Sequence, residues 1–307
     1  MVKTMAVEKI VDVFSLEVLT CEDALDREVV KSTSRRPGLE FMGYLDYLPM
    51  GHVQVLSENE IHYLNTLSLE KCQKRVSNIV SYDPPCIIVT DNQQGLENLT
   101  RYSKEKGIPL LRAAETNYEF IGKLDAFLIN KLAPETAVHG VCVNVFGLGV
   151  LLRGDSGVGK SETAHSLVRR GHRLVADDMV VLKRLSSHTI LGTHNETNRE
   201  FISLRSVGLL NVVRMYGRQS FQEESRIALD IELTKWEGKS LYNDLDVETK
   251  IQSHMGVEIP SLQIQLKPGR DVVGLIEAAV NNFYLKQQGY NAADDFMKRV
   301  QKEQDNQ

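Results

Sequence analysis

The sequence predicts an α/β protein of two domains. Residues 1–132 read as a small N-terminal α/β domain, and 133–307 as a larger domain with a mixed sheet around a phosphate-binding loop. Three observations predict this. Short β-rich apolar runs alternate with helical stretches over the first ~130 residues. Pro134 then breaks the pattern, which places the boundary there. Beyond it, "RGDSGVGKSE" (Arg153 to Glu162) fits G-x-x-x-x-G-K-[ST], with an apolar run before it and a helical run after it.

In the first domain "HVQVL" (His52 to Leu56) alternates as a strand does, and Ser57 with Glu60 forms a capping box that opens a helix. "CIIVTD" (Cys86 to Asp91) is a second strand, and "GLENLTRYSKEKG" a helix closed by Gly107. "IPLLRA" is a third strand, and Thr116 with Glu119 makes another capping box before "FIGKLDAFLINKL". The cationic turn "SRRPGLEF" (Ser34 to Phe41) reads as a solvated loop, with an anion site as the alternative. This half offers no paired acids, metal cluster or nucleophile constellation, and reads as regulatory or architectural.

The second domain opens with two β-rich runs, Val141 to Phe146 and Val150 to Arg153, separated only by "GLG". A parallel crossover needs a dozen or more residues, so this link predicts an antiparallel hairpin. The strand that feeds the loop is then unlike that of the common parallel nucleotide-binding sheet, which suggests a kinase core of a less common type. Within the loop, Gly154, Asp155, Ser156, Gly157, Val158 and Gly159 can turn backbone N–H groups toward phosphate oxygens. Lys160 reaches the terminal phosphates, and the Ser161 hydroxyl ligates Mg²⁺. The helix "SETAHSLVRR" ends at Gly171, with Arg169 and Arg170 opposing its negative terminus.

A strand from Leu174 to Ala176 is expected to return by a right-handed crossover beside the strand preceding the loop. That leaves Asp177 and Asp178 near the phosphates. One carboxylate can anchor Mg²⁺ and the other can accept a proton from an attacking hydroxyl. Side chains alternate along a strand, so the two take different roles unless the strand has already ended. His139, on the strand entering the hairpin, is a catalytic candidate or a structural histidine. His165 and His172 read as solvated.

A net charge of −5, from 36 Lys and Arg against 41 Asp and Glu, argues against broad nucleic-acid binding. No apolar run approaches the ~20 residues of a membrane span, and the N-terminus lacks a signal-peptide core. The widely spaced Cys21, Cys72, Cys86 and Cys142 read as buried small residues of a cytoplasmic protein, not as a disulfide or zinc framework. The tail "QKEQDNQ" is expected to fray.

Several blocks together resemble the bacterial HPr kinase/phosphorylase family along nearly the whole chain. They are "SRRPGLEFMGY", "TAVHGV", "GVLLRGDSGVGKSETA", "RRGHRLVADDMV", "LRSVGLLNV", "GVEIP", "KPGRD" and "GYNAADDF". The resemblance implies a cytoplasmic hexamer whose kinase core is akin to phosphoenolpyruvate carboxykinase. It implies phosphorylation of a serine of HPr, the phosphocarrier of the sugar phosphotransferase system, from ATP or pyrophosphate with Mg²⁺. It also implies removal of that phosphate by phosphorolysis. Carried over by residue, Gly154 to Ser161 bind the nucleotide, Ser161 ligates the metal and Lys160 contacts the transferred group. His139 becomes an active-site residue, Asp178 the best match to the base, and Asp177 a support for it or for the metal. Arg205 keeps its basic role.

The chain departs from the family at three places. "EIRG" is here Ser203-Leu204-Arg205-Ser206, so a metal-holding glutamate is lost. "YDRLG" is Tyr242-Asn243-Asp244-Leu245-Asp246, with Asp244 where an arginine would face phosphate. "RPGRN" is "KPGRD", Lys267 to Asp271. The last two lie in loops tied to phosphorolysis. The expectation is a protein serine kinase with weakened phosphorylase activity. The alternatives are an ATP-binding regulatory paralogue with impaired catalysis and, third, a small-molecule kinase or carboxykinase on the same core.

Overall fold

The computed structural model describes residues 3–38, 50–236, 250–267 and 269–305. The chain divides into two compact units, Met1–Pro134 and Glu135–Gln307.

In the first unit the elements are β1 (Met5–Ala6), α1 (Glu8–Phe14), β2 (Glu17–Thr20), β3 (Glu28–Val29), β4 (Gln54–Leu56), α2 (Glu58–Thr66), α3 (Leu69–Val80), β5 (Ile87–Val89), α4 (Glu97–Lys106), β6 (Leu110–Arg112) and α5 (Asn117–Leu132). The sheet runs β2-β6-β5-β4, with β4, β5 and β6 parallel and β2 antiparallel at the edge. Its three-residue strands are apolar at both parities because both faces are covered. Val55, Ile88 and Leu111 pack with Phe120, Leu124 and Leu128 of α5. Leu56, Ile87, Val89 and Leu110 pack with residues of α2, α3 and α4.

The predicted first strand is shorter than its apolar run, and the His52 ring binds the Thr33 carbonyl at 2.8 Å. The Ser57–Glu60 capping box is present, with the Ser57 N–H donating to Glu60 at 2.8 Å. The second box is not. The Thr116 hydroxyl donates to the Glu119 side chain at 3.0 Å and caps no backbone group. Arg36 of the cationic turn pairs with Glu60 at 2.8 Å; the turn's residues from 39 onward lie outside the described ones. Cys72, Cys86 and Cys142 are buried, whereas Cys21 is half-buried. Burial pushes the Cys86 and Cys142 thiols up to about 12, so they behave as small apolar residues.

The second unit continues with β7 (Glu135–His139), β8 (Val141–Val145), β9 (Leu148–Arg153), α6 (Lys160–Arg169), β10 (Arg173–Ala176), β11 (Met179–Ser186), β12 (Thr189–Thr193), β13 (Phe201–Leu204), β14 (Gly208–Asn211), α7 (Val212–Tyr216), β15 (Glu224–Lys235), β16 (Lys250–His254), β17 (Val257–Leu266), α8 (Val272–Gln287) and α9 (Ala292–Asp305). The main sheet is mixed, in the order β10-β8-β9-β15-β12-β11-β7, and β17 with β16 pairs against the second half of β15. β8 and β9 form the predicted antiparallel hairpin. Phe146 and Gly147 link them with φ of 51° and 88°, the positive pair that a type I′ turn requires.

β10 does not return beside β9. It pairs antiparallel with β8, which the hairpin has already placed on that side of β9, while β15 occupies the other side. The crossover through α6 therefore passes over one strand. Val150, Leu152, Ile231 and Leu233 on one face meet Ala164, Leu167 and Val168 of α6 and Ile276 of α8. Cys142, Leu151 and Ile227 on the other face meet Leu182, Ile190, Val257 and Ile259.

α6 ends as predicted at Gly171. Gly171 N–H bonds to Val168 and His172 N–H to Leu167, which satisfies the last carbonyls. His172 is buried, contrary to the solvated reading, because its ring pairs with Glu277 at 3.0 Å and meets Phe146 edge-on. His165 is half-buried, 2.7 Å from the Tyr216 hydroxyl, and burial lowers its pKa, with Arg169 adding to the effect. His139 also differs from expectation. It ends β7, a strand of its own that pairs with β11, and Gly140 separates it from the hairpin.

Candidate active site

The phosphate-type loop, Gly154 to Gly159, links β9 to α6 at the carboxyl end of β9. Val158 is buried in the core below and pins the loop to it. Lys160 opens α6 and is only 7% exposed. Its ammonium donates to the Gly154 and Asp155 carbonyls at 2.8 and 3.0 Å, which keeps the charge inside the loop. Gly157 has φ of 74°, and a Cβ there would collide with the Arg205 guanidinium. Arg205, from the turn between β13 and β14, thus lies directly on the loop.

Ser161, next on α6, donates its hydroxyl to Asp177 at 2.8 Å. The Ser203 N–H donates to the other Asp177 oxygen at 2.8 Å, which ties the β13–β14 hairpin to the end of β10. Asp177 is 3% exposed. Burial raises its pKa above the usual carboxylate range, against the hydrogen bonds from Ser203 and Ser161. β10 has ended at Ala176, and Asp178 has φ of 66°, so its side chain swings out and is 68% exposed. Its carboxylate lies 3.2 Å from His139 Nδ1.

These groups share one cleft of about 530 Å³. Lys160, Ser161, Asp177, Asp178 and His139 line it, as do Ser203 and Arg205 from the hairpin opposite. Ser156, Gly157, Gly159, Lys160 and Ser161 of the loop, both acids, His139 and Arg205 are therefore brought together, whereas Gly154, Asp155 and Val158 do not line the cleft. Glu162 and Asn198 are among the lining residues that sequence reasoning missed. Glu162 follows Ser161 in the first turn of α6 and accepts from the Arg205 N–H at 3.4 Å. Its place directly after the Gly-Lys-Ser triplet was the available signal. Asn198 lies in the irregular segment between β12 and β13, where no pattern marks it.

That segment is clamped by Glu223, which pairs with His194 at 2.9 Å, Arg199 at 2.5 Å and Arg218 at 2.8 Å. Burial would raise the Glu223 pKa, but the hydrogen bonds from Arg218, His194 and Arg199 outweigh it and bring it to about 2. Of the departures, Ser206 sits at φ of 66°, a left-handed turn conformation that costs a side chain roughly 1–2 kcal/mol. The Lys267 ammonium stands 4.6 Å over the Trp236 ring. Asp244 and its block lie outside the described residues.

The donor set suits a polyphosphate with a hard divalent cation: an ammonium, a Gly-rich loop, a hydroxyl and a buried carboxylate. Among the described residues no group of three or more His, Cys, Asp or Glu is placed to hold a metal by itself. Mg²⁺ needs no such group, since it keeps waters and phosphate oxygens as ligands.

A mixed sheet whose hairpin strand runs into a phosphate-type loop and helix is consistent with a P-loop kinase core. The family models described as HPr Serine kinase N terminus and HPr Serine kinase C-terminal domain match residues 5–128 and 130–300. The chain belongs to the HPr kinase/phosphorylase family, a family of protein kinases. It is 58% identical over 299 residues to the "Putative HPr kinase/phosphorylase 2" of Oceanobacillus iheyensis, covering 97% of this chain and 98% of that one. It is 38% identical over 291 residues to the HPr kinase/phosphorylase of Bacillus mycoides, covering 95% and 94%. The solved Hpr(Ser) kinase/phosphatase from Coxiella burnetii matches at 28% identity and a TM-score of 0.48, over 52% of this chain and 98% of that one.

Proposed function

We propose that this chain is a Mg·ATP-dependent protein serine kinase acting on HPr, working in the cytoplasm as a homo-oligomer, hexameric by the family resemblance. One observation carries the reading: a single cleft sets Lys160 and Ser161 of the loop opposite the Asp178–His139 pair. Gly154 to Ser161 hold the phosphates of ATP or pyrophosphate, and Lys160 exchanges its two carbonyl partners for phosphate oxygens. Ser161 and Asp177 hold Mg²⁺, whose charge offsets that of the phosphates when it is bound. Asp178 takes the proton from the seryl hydroxyl as the new O–P bond forms and the bond from the γ-phosphorus to ADP (or, from pyrophosphate, to phosphate) breaks, and His139 Nδ1 orients the carboxylate. Arg205 faces the transferred group from the hairpin. In the reverse direction protonated Asp178 returns its proton to the leaving serine oxygen while phosphate attacks phosphorus and pyrophosphate forms.

The test is incubation of the purified protein with labelled ATP, Mg²⁺ and HPr. Phosphoserine on HPr is expected, and its absence with ATP still bound would overturn the kinase reading. Lys160→Ala is expected to weaken ATP binding at least about tenfold, since a charge-assisted contact contributes about 1.5–3 kcal/mol. Equal affinities by calorimetry would remove the loop from nucleotide binding.

A second reading is an ATP-binding regulatory paralogue without catalysis. Ser203 in the cleft wall favours it, because a serine replaces a metal-holding carboxylate. ATP binding without transfer to HPr is its expected result.

A further inference from the structure

A buried polar cluster on the sheet face away from α6 has no part in the phosphate chemistry just described. Asp230, in the middle of β15, is fully buried and accepts from β9 and β17 beside it and from β16 beyond β17. Arg153, the last residue of β9, forks onto it at 2.7 and 2.8 Å. His254 of β16 bonds to it at 2.7 Å and the Ser261 hydroxyl of β17 at 3.3 Å. The carboxylate stays below the usual range because these bonds outweigh its burial. A buried ion pair is a poor device for stability, since an apolar pair of similar volume does as well or better. Its position is more informative.

The β9–β15 ladder ends at the Arg153–Glu232 pair, and the chain leaves the sheet at the next residue. Gly154 has φ of 138°, and a Cβ on it would collide with the Leu233 carbonyl oxygen of β15. The loop therefore departs in contact with the strand that carries Asp230. The Gly154 carbonyl in turn holds the Lys160 ammonium at 2.8 Å. A continuous series of contacts runs from Asp230 through Arg153 and Gly154 to Lys160.

We propose that Asp230 is a positioning residue that acts through the Arg153 fork to fix the direction in which the phosphate loop leaves the sheet, and so the affinity of the loop for polyphosphate. The inference rests on the nucleotide-binding reading above. A planar fork fixes orientation as well as distance, which a lysine at the same place cannot do. His254 and Ser261 hold the carboxylate from strands that do not lead into the loop.

The experiment measures affinity for Mg²⁺-pyrophosphate and Mg²⁺-ATP by calorimetry, KM for ATP and for HPr, and melting temperature, on the full chain. Arg153→Gln is expected to weaken both ligands and raise KM for ATP about tenfold while KM for HPr stays within about twofold, because small misplacements of a binding group are costly. Arg153→Lys falls between that variant and the unmodified protein. Asp230→Asn, nearly the same shape, matches Arg153→Gln, and the double variant is no weaker than either. His254→Gln lowers the melting temperature but leaves both affinities within about twofold. Unchanged affinity in folded Arg153→Gln, or equal weakening in His254→Gln, would overturn the inference. If Lys160→Ala weakens binding while Arg153→Gln does not, only this inference fails. If the unmodified protein binds neither ligand, the nucleotide reading fails and takes this one with it.

Discussion

Asp177 and Asp178 are neighbours in the chain with opposite surroundings. One is sealed between Ser161 and the Ser203 N–H, and the other faces solvent beside His139. Asp178→Asn is expected to leave nucleotide affinity nearly intact while cutting phosphate transfer to HPr at least ~10²-fold, the low end for a general base. Asp177→Asn should do the reverse, weakening Mg²⁺-dependent nucleotide binding. Because burial holds the Asp177 pKa above its reference of 3.8, ionising it opposes folding. That penalty is absent below the reference value and complete above the folded value. Asp177→Asn should therefore melt no lower than the unmodified protein at pH 7, and a lower melting temperature would show that the carboxylate is structural. The sequence predicted different roles from strand alternation unless the strand had already ended; β10 ends at Ala176, and the left-handed backbone of Asp178 separates the two acids instead. The sequence could not announce His139 as the partner of Asp178, because that contact depends on β7 pairing with β11.

Among elements, the segment between β12 and β13 owes its place to the Glu223 clamp, not to regular pairing. The Glu223 pKa falls from 4.5 in the unfolded chain to about 2 in the fold. The clamp's contribution is thus complete above pH 4.5 and is lost as pH falls toward 2. The melting temperature of Glu223→Gln should lie below that of the unmodified protein at pH 6, and the gap should close on acidification. A gap that persists at pH 2 would assign the loss to packing. No apolar period marks this segment, so it was not legible beforehand. The β8–β9 hairpin was legible, because a short link leaves no other topology. The position of β10 was not, since the length of a crossover does not reveal which strand it passes over.

For the whole molecule, the proposed reaction implies that its direction depends on the charges that meet free phosphate. Phosphorolysis must bring free phosphate up to a phosphoserine, and such like charges repel by several kcal/mol where water is excluded. Lys267 is occupied over Trp236, and Asp244 stands where the family resemblance calls for an arginine. Transfer from ATP to HPr should outrun phosphorolysis, and Asp244→Arg should raise phosphorolysis more than kinase activity. Equal gains in the two directions would dissociate this residue from the attacking phosphate.

The strand that β10 fails to reach also sets a ruler. With β8 lying between them, the ends of β9 and β10 stand two strand spacings apart, about 9–10 Å. β8 runs the opposite way, so it is its first residue, Val141, that lies in this interval, paired with Leu152 and next to Cys142, the partner of Ala176. The chain entering β8 must cross the same interval, and His139 and Gly140 are the residues that do so. The extra strand thus keeps the loop at the end of β9 and the acids beyond β10 two strands apart, and its first residue, Val141, lines the cleft between them.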